Sequence, residues 1–413
     1  MTRVAGGGTA DVTTVTSYLV TGNGFDGGSE EDASPLESFT LLNFTDDDWL
    51  GNSSVASGGS WGNNTTAAWS VCDDILKDRA EPPPDYTSAT RYGVSVILTL
   101  VPLLTMLGNF ITILAVLTHR KLRTKTNAFI VSLAIADMCV SLLVMPFGIY
   151  QQLNNKVWQL GDILCRLSSS LDVMMCTVSI FHLSCLAIDR YLAICRPFLH
   201  ERLKVWHIVM MLIGCWVIPV FISFLPIMND WNKLGIEDYL ACAYPPEAEA
   251  CVFIVNIPFA IVCSLIAFYI PVVFMGVCNA KIYMAANKQA HQIRTLEAAG
   301  NHSHVNSHKK RKFHHEAKAA KTLGIIMGCF SVCWFPFFIM NIIDPIVGYR
   351  IPYIPWMVAL WLGYINSMMN PVLYFFFNRH FNRAYRRLLQ CRVCKGVRDY
   401  DEEMITGMTN TSE

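Results

Sequence analysis

Seven long apolar runs constrain this chain more than any other feature; they lie at about 93–117, 128–152, 162–192, 205–228, 252–283, 317–345 and 353–376. As a helix, each is long enough to cross a hydrocarbon core roughly 30 Å thick. The runs are apolar all round rather than along one stripe, which argues against a water-soluble helical bundle. The expected fold class is therefore an all-α membrane protein, a seven-transmembrane helix bundle.

The polar links set the orientation. "THRKLRTK" (118–125), "RPFLHERLK" (196–204) and the region 281–321 are rich in Lys and Arg, whereas 153–160, 229–250 and 346–352 carry far fewer. By the positive-inside rule the first three face the cytoplasm, which places the amino terminus outside a multi-pass protein of the plasma membrane. Formal net charge is zero, so neither nucleic acid nor another strongly charged partner is implied.

The bundle is expected over 92–377, between segments of different composition. Residues 1–91 are rich in Gly, Ser, Thr and acids without periodicity, the pattern of a disordered extracellular tail. No early apolar segment reads as a cleaved signal peptide, so the first span is expected to serve as a signal-anchor. Asn43, Asn52, Asn63 and Asn64 in that tail fit the glycosylation sequon. After the seventh run, "NRHFNRAYRRLLQC" (378–391) reads as an amphipathic helix on the inner leaflet, within a membrane-surface segment 378–394. Cys391 and Cys394 beside it are palmitoylation candidates, and 395–413 is a cytoplasmic tail.

Most of the fifteen cysteines lie inside apolar runs, where a thiol packs as a small hydrophobe. Cys72, Cys165, Cys242 and Cys251 fall on the expected exterior, where disulfides persist. A bridge from Cys165, opening the third helix, to Cys251, before the fifth, would pin the intervening loop over the bundle mouth. Cys72 and Cys242 are left either as a second pair tying the tail to that loop or as unpaired thiols.

Carboxylates inside the runs mark function by default, because burying one in lipid is costly. Asp172 and Asp189 share the third run, roughly 25 Å apart along a helix and so one toward each face. Asp137 lies in the middle of the second.

"LGN" at Asn109, "LAIAD" at Asp137, "DRYLAICRPF" (189–198), "GCWVIP" at Trp216, "CWFPFF" (333–338) and "NPVLY" (370–374) each fall on a matching span. Together they resemble the rhodopsin-like (class A) G-protein-coupled receptors over about 92–394. Asp172 below Cys165, with "WLGYINS" (361–367), is similar to the amine receptors within that family. The runs "CWVIPVFISFLPIMNDWNKLGI", "CVFIVNIPFAIVCSLIAFYIP" and "KAAKTLGIIMGC" resemble the serotonin type-4 receptors.

The resemblance implies roles residue by residue. Asp172 is the counter-ion of a protonated amine agonist. Val173, Cys176, Cys263, Ser264, Ala267, Phe268, Trp334, Phe337, Phe338, Asn341, Trp361 and Tyr364 complete the ligand pocket. Ser264 and Asn341 offer hydrogen bonds to an indole ring, and Tyr364 holds the rotamer of Asp172. Asp137, Ser179, Trp334, Asn366 and Asn370 match the family's sodium positions; no other cofactor is implied. Asp189, Arg190, Tyr191, Asn279, Glu316 and Tyr374 form the G-protein switch, with Arg190 latched by Glu316 at rest. Asn279 departs from the family, which usually has a tyrosine there.

The partners implied are a small-molecule amine, a heterotrimeric G protein of the stimulatory class raising cAMP, arrestin and membrane lipid. A trace-amine or other biogenic-amine receptor is the same-class alternative. A transporter predicts internal repeats, and none is evident. No GxSxG, HExxH or phosphate-cradling loop occurs, so an enzyme is not indicated. The histidines of "NHSHVNSHKKRKFHH" sit in a polar, basic stretch and read as a loop, not a metal site.

Overall fold

A computed structural model describes residues 72–73, 75–77, 87–245, 248–298 and 304–390, without the side chains of 289–290, 293–294, 296–298, 304–321 and 323. Asn43, Asn52, Asn63, Asn64, Cys391 and Cys394, and the side chain of Glu316, lie outside the described residues.

The described residues form helices joined by short links. In chain order these are α1 (Ser88–Thr118), α2 (Lys125–Leu143), α3 (Met145–Leu153), α4 (Asp162–Cys195), α5 (Pro197–Arg202), α6 (Val205–Met228), α7 (Glu237–Ala243), α8 (Ile257–Ser264), α9 (Ile270–Ala298), α10 (His304–Ile346), α11 (Tyr353–Phe377) and α12 (Arg379–Leu389). A wider π turn, Leu265–Tyr269, joins α8 to α9.

Local chemistry sets several helix ends. The side chains of Thr87, Thr124, Asn256 and Asn378 each accept from a backbone N–H of the first turn, the capping role these residue types favour. The fifth span starts later than its apolar run, which began at 252. Residues 252–256 are held as a non-helical link, because the Asn256 amide donates 2.9 Å bonds to the carbonyls of Trp231 and Leu234. At its carboxyl end α9 runs beyond the apolar stretch through Ala- and Gln-containing sequence of good helix propensity, and α10 already begins at His304, so the His- and Lys-rich stretch from there on, expected as a loop, is helical.

Among the described residues, six helical segments are long and apolar enough to cross a membrane: α1, α2 with α3, α4, α6, Ile257–Lys288, and Gly324–Ile346 of α10. The remaining run, α11, is 25 residues long and packs against α1 and α10. It is long enough, but Asn366, Ser367 and Asn370 turn polar groups into the bundle and dilute its apolar character. The outer face of α6 leaves Val209, Met210, Ile213, Val217 and Phe221 exposed. An apolar stripe of that extent is a lipid-facing surface.

Where α2, α4 and α6 meet, one buried hydroxyl joins all three. The Trp216 indole N–H donates to Ser132 Oγ at 3.0 Å, and Ser132 Oγ lies 2.7 Å from His182 Nε2. His182 Nδ1 is 2.7 Å from the Val178 carbonyl, which can only accept. The proton therefore sits on Nδ1, Nε2 accepts from Ser132, and every polar group of the joint is satisfied.

At the mouth of the bundle, disulfides join Cys165 to Cys251 and Cys72 to Cys242. Val157 pairs antiparallel with Ala250, so the link before α8 is stitched to the link after α3. Tyr349 stacks on Tyr239 and donates to the Val255 carbonyl at 3.1 Å. Partial burial and the nearby Asp344 charge push the Tyr349 phenol up to about 12, so it stays a donor at neutral pH. At the opposite end α12 buries Phe381, Ala384 and Tyr385 and exposes Arg379, Arg383, Arg386 and Arg387. The Tyr385 hydroxyl meets Thr112 of α1 at 2.7 Å, and Phe381 stacks on Tyr374 of α11.

Candidate functional site

Asp172 projects from α4 about two turns below Cys165, into the bundle. Tyr364 of α11 donates its phenol to Asp172 Oδ2 at 2.9 Å, which fixes the carboxylate's orientation from the facing helix. Asp172, Cys176, Ser179, Trp334, Tyr364 and Asn366 line one cavity, so this carboxylate opens toward the bundle's mid-depth.

An aromatic cluster surrounds that cavity. Trp334 meets Phe337 edge-on at 5.6 Å and Tyr364 at 6.5 Å, while Phe338 lies flat against Phe268 at 4.4 Å. Trp361 packs edge-on to Tyr364 at 5.4 Å. Such T-shaped and stacked arrangements suit the ring quadrupoles and leave aromatic faces for a planar ligand. Ser264 and Asn341 do not stand apart as two separate polar contacts. The Asn341 amide donates to Ser264 Oγ at 3.0 Å, tying α8 to α10, and the Ser264 hydroxyl hydrogen remains for a third group. Ala267 is buried beside them, Cys263 and Val173 are half-buried, and Val173 uses its carbonyl to accept from Thr177.

Deeper in the bundle Asn370 donates to Asp137 Oδ2 at 2.8 Å. Among the described residues Asp137 Oδ1 and the side-chain amide oxygens of Asn109 and Asn370 are buried without a hydrogen-bond partner. Ser179, Trp334, Asn366 and Ser367 line the cavity on the Asp172 side. Asp137 and Asn370 are the oxygen-bearing side chains here that would hold a small hard cation.

At the end opposite the disulfides, Asp189 Oδ2 accepts from Thr126 Oγ1 at 2.7 Å and from Arg190 Nε at 3.0 Å. Arg190 Nη2 closes on both Asp189 and Thr126. The other oxygen, Oδ1, accepts from His200 Nε2 at 3.2 Å. Thr126 and His200 carry no motif, and sequence reasoning passed over both. Tyr191 lies under the Lys281 ammonium, 5.9 Å from its ring centre. Asn279 donates to the Met327 sulfur at 3.2 Å, while the buried Tyr374 hydroxyl has no partner among the described residues.

Residues 108–374 match the family described as "7 transmembrane receptor (rhodopsin family)". The chain is 46% identical over 329 residues to the human (Homo sapiens) 5-hydroxytryptamine receptor 4, covering 77% of this chain and 84% of that protein. It is 36% identical over 292 residues to trace amine-associated receptor 4 of Rattus norvegicus, covering 69% and 82%. With the octopamine receptor beta-2R of Chilo suppressalis it shares 35% identity over 335 residues, covering 75% and 83%.

Proposed function

The chain belongs to the rhodopsin family of seven-transmembrane receptors, in its aminergic branch, and from that premise we propose that its agonist is serotonin and its transducer a stimulatory G protein that raises cAMP. It is a receptor, not an enzyme. The observation that carries the ligand reading is the juxtaposition of Asp172, oriented by Tyr364, with an aromatic cluster leading to the Ser264–Asn341 pair. A protonated amine at one end, a flat ring between and a hydroxyl at the other is the ligand that satisfies all three. The disulfide end is the extracellular one, with glycans on the tail asparagines. Lipid-linked Cys391 and Cys394 hold α12 to the inner leaflet, and arrestin shares the cytoplasmic face. Sodium at Asp137, with oxygens from Ser179, Asn366 and Asn370, favours the resting state.

A cAMP dose–response over a panel of biogenic amines tests the ligand. Serotonin is expected to be the most potent, because a buried hydroxyl–amide pair rejects amines that leave it unsatisfied. Tyramine or octopamine more potent by about tenfold would install the trace-amine or octopamine reading in its place.

Asn279 supplies a second measurement. Among the described residues the Tyr374 hydroxyl has no partner and the shorter Asn279 turns to Met327, so the open state goes without the contact that a tyrosine at 279 supplies. Asn279→Tyr is expected to raise ligand-free signalling and serotonin potency together, by about 1 kcal/mol of population shift, the net worth of one hydrogen bond. Equal basal signal and potency at matched surface expression would show that the pairing contributes nothing.

A further inference from the structure

We propose that Cys185 and Cys215 are an oxidation site inside the membrane: a lipid-soluble hydroperoxide joins them into a disulfide that locks α4 to α6.

The two sulfurs lie 3.5 Å apart, across the packing of α4 on α6. Both thiols are free. Among the described residues no other pair of free cysteines is in sulfur-to-sulfur contact. The joint beside them imposes this geometry. Cys185 follows His182 by about one turn of α4, and Cys215 immediately precedes Trp216 of α6. Ser132 holds both His182 and Trp216, which fixes the two helices in the rotation that turns the sulfurs toward each other. A disulfide sets its sulfurs about 2.05 Å apart, so the pair has to close by about 1.5 Å, a movement that side-chain rotation supplies.

Depth selects the oxidant. Cys185 lies about ten residues before the α4 end at Cys195, and Cys215 about ten after the α6 start at Val205. At ~1.5 Å per residue both sit about 15 Å in from those ends, halfway through a hydrocarbon core roughly 30 Å thick. Charged oxidants are excluded there by the cost of desolvation, whereas a neutral organic hydroperoxide, of the kind that forms on unsaturated lipid, dissolves in it. Cys185 is half-buried and Cys215 only 2% exposed, so the oxidant meets Cys185 first, with Cys215 behind it.

The chemistry balances in two steps. The Cys185 sulfur takes the outer peroxide oxygen, the O–O bond breaks, and the thiol proton leaves with the alkoxide as an alcohol; Cys185 is then a sulfenic acid. The Cys215 sulfur attacks that sulfur, the S–O bond breaks, and the hydroxyl leaves with the Cys215 proton as water. Two thiols are oxidised to one disulfide and one hydroperoxide is reduced to its alcohol. An isolated thiol would stay at the sulfenic stage or go on to sulfinic acid; a second thiol in contact diverts it to the disulfide.

The test treats the full-length receptor, in nanodiscs of saturated lipid, with cumene hydroperoxide. Remaining thiols are blocked with a maleimide under denaturing conditions, and peptides are mapped by mass without reduction. A linked peptide containing Cys185 and Cys215 is expected. The two thiols should disappear together, about tenfold faster than that of Cys139, which is also half-buried but has no sulfur in contact among the described residues. Cys215→Ala should leave Cys185 to accumulate as sulfinic acid, and Cys185→Ala should leave Cys215 a free thiol. Loss of Cys185 and Cys215 thiols no faster than Cys139, or sulfinic acid on Cys185 beside an intact Cys215 thiol in the unaltered receptor, overturns the proposal. The linked receptor is also expected to show a higher midpoint of thermal inactivation, a rise absent from Cys215→Ala under the same treatment. A linked receptor with an unchanged midpoint overturns the lock between α4 and α6.

Discussion

Asp172→Asn is expected to remove the response to amines while leaving the receptor at the cell surface. The carboxylate sits in a bundle interior where little else can neutralise an ammonium ion. Breaking one partner out of a buried pair costs about 3–5 kcal/mol, because the remaining charge is left uncompensated. That converts to a potency loss of about a hundredfold to several thousandfold. The fold should tolerate the change, since the asparagine carbonyl can still accept the Tyr364 phenol that now bonds Oδ2. The check is amine potency at matched surface expression, together with retained binding of a neutral ligand. Potency within threefold of the parent receptor would place the amine elsewhere.

Gly363→Ala is expected to be the most damaging single methyl in the pocket. A Cβ at Gly363 would stand 2.8 Å from three ring atoms of Trp334, well inside contact distance. The indole is rigid and boxed by Phe330, Phe337, Phe338 and Tyr364, so it has no free rotamer to retreat into. Overpacking of this kind costs about 1–3 kcal/mol. Trp334 and Tyr364 both line the cavity with Asp172, so the displacement reaches the carboxylate's orientation. A lower midpoint of thermal inactivation and about a tenfold loss of serotonin potency should appear together. Parent-like values for both would mean that the indole shifts at no cost.

Much of the candidate site is legible in the sequence, and the reason is specific. Asp137, Asp172 and Asp189 stand out because a carboxylate in an apolar run is expensive anywhere along it. Trp334, Asn366 and Asn370 are visible through motifs whose residues are close together in the chain. Ser264 and Asn341 were legible as residues but not as a pair, since they lie 77 positions apart and meet only across two helices. Thr126 and His200 were invisible for the same reason. Thr126 is an ordinary polar residue in the first turn of α2 and His200 one in a basic link, and only the packing of α4 against α2 and α5 brings both to Asp189.

The sequence by itself determined that the chain is a multi-pass membrane protein and where most of its helices lie. Those properties depend on local composition, which every residue carries with it. The tertiary structure alone decided the rotation of each helix about its axis and hence every partner: Tyr364 for Asp172, Asn370 for Asp137, His200 for Asp189, and the bare backbone at Gly363 beneath Trp334. In an apolar solvent a helix buries nothing by turning one apolar face inward rather than another. The register between helices is therefore set by matching polar groups and close backbone approach, which are properties of pairs and not of positions in a chain.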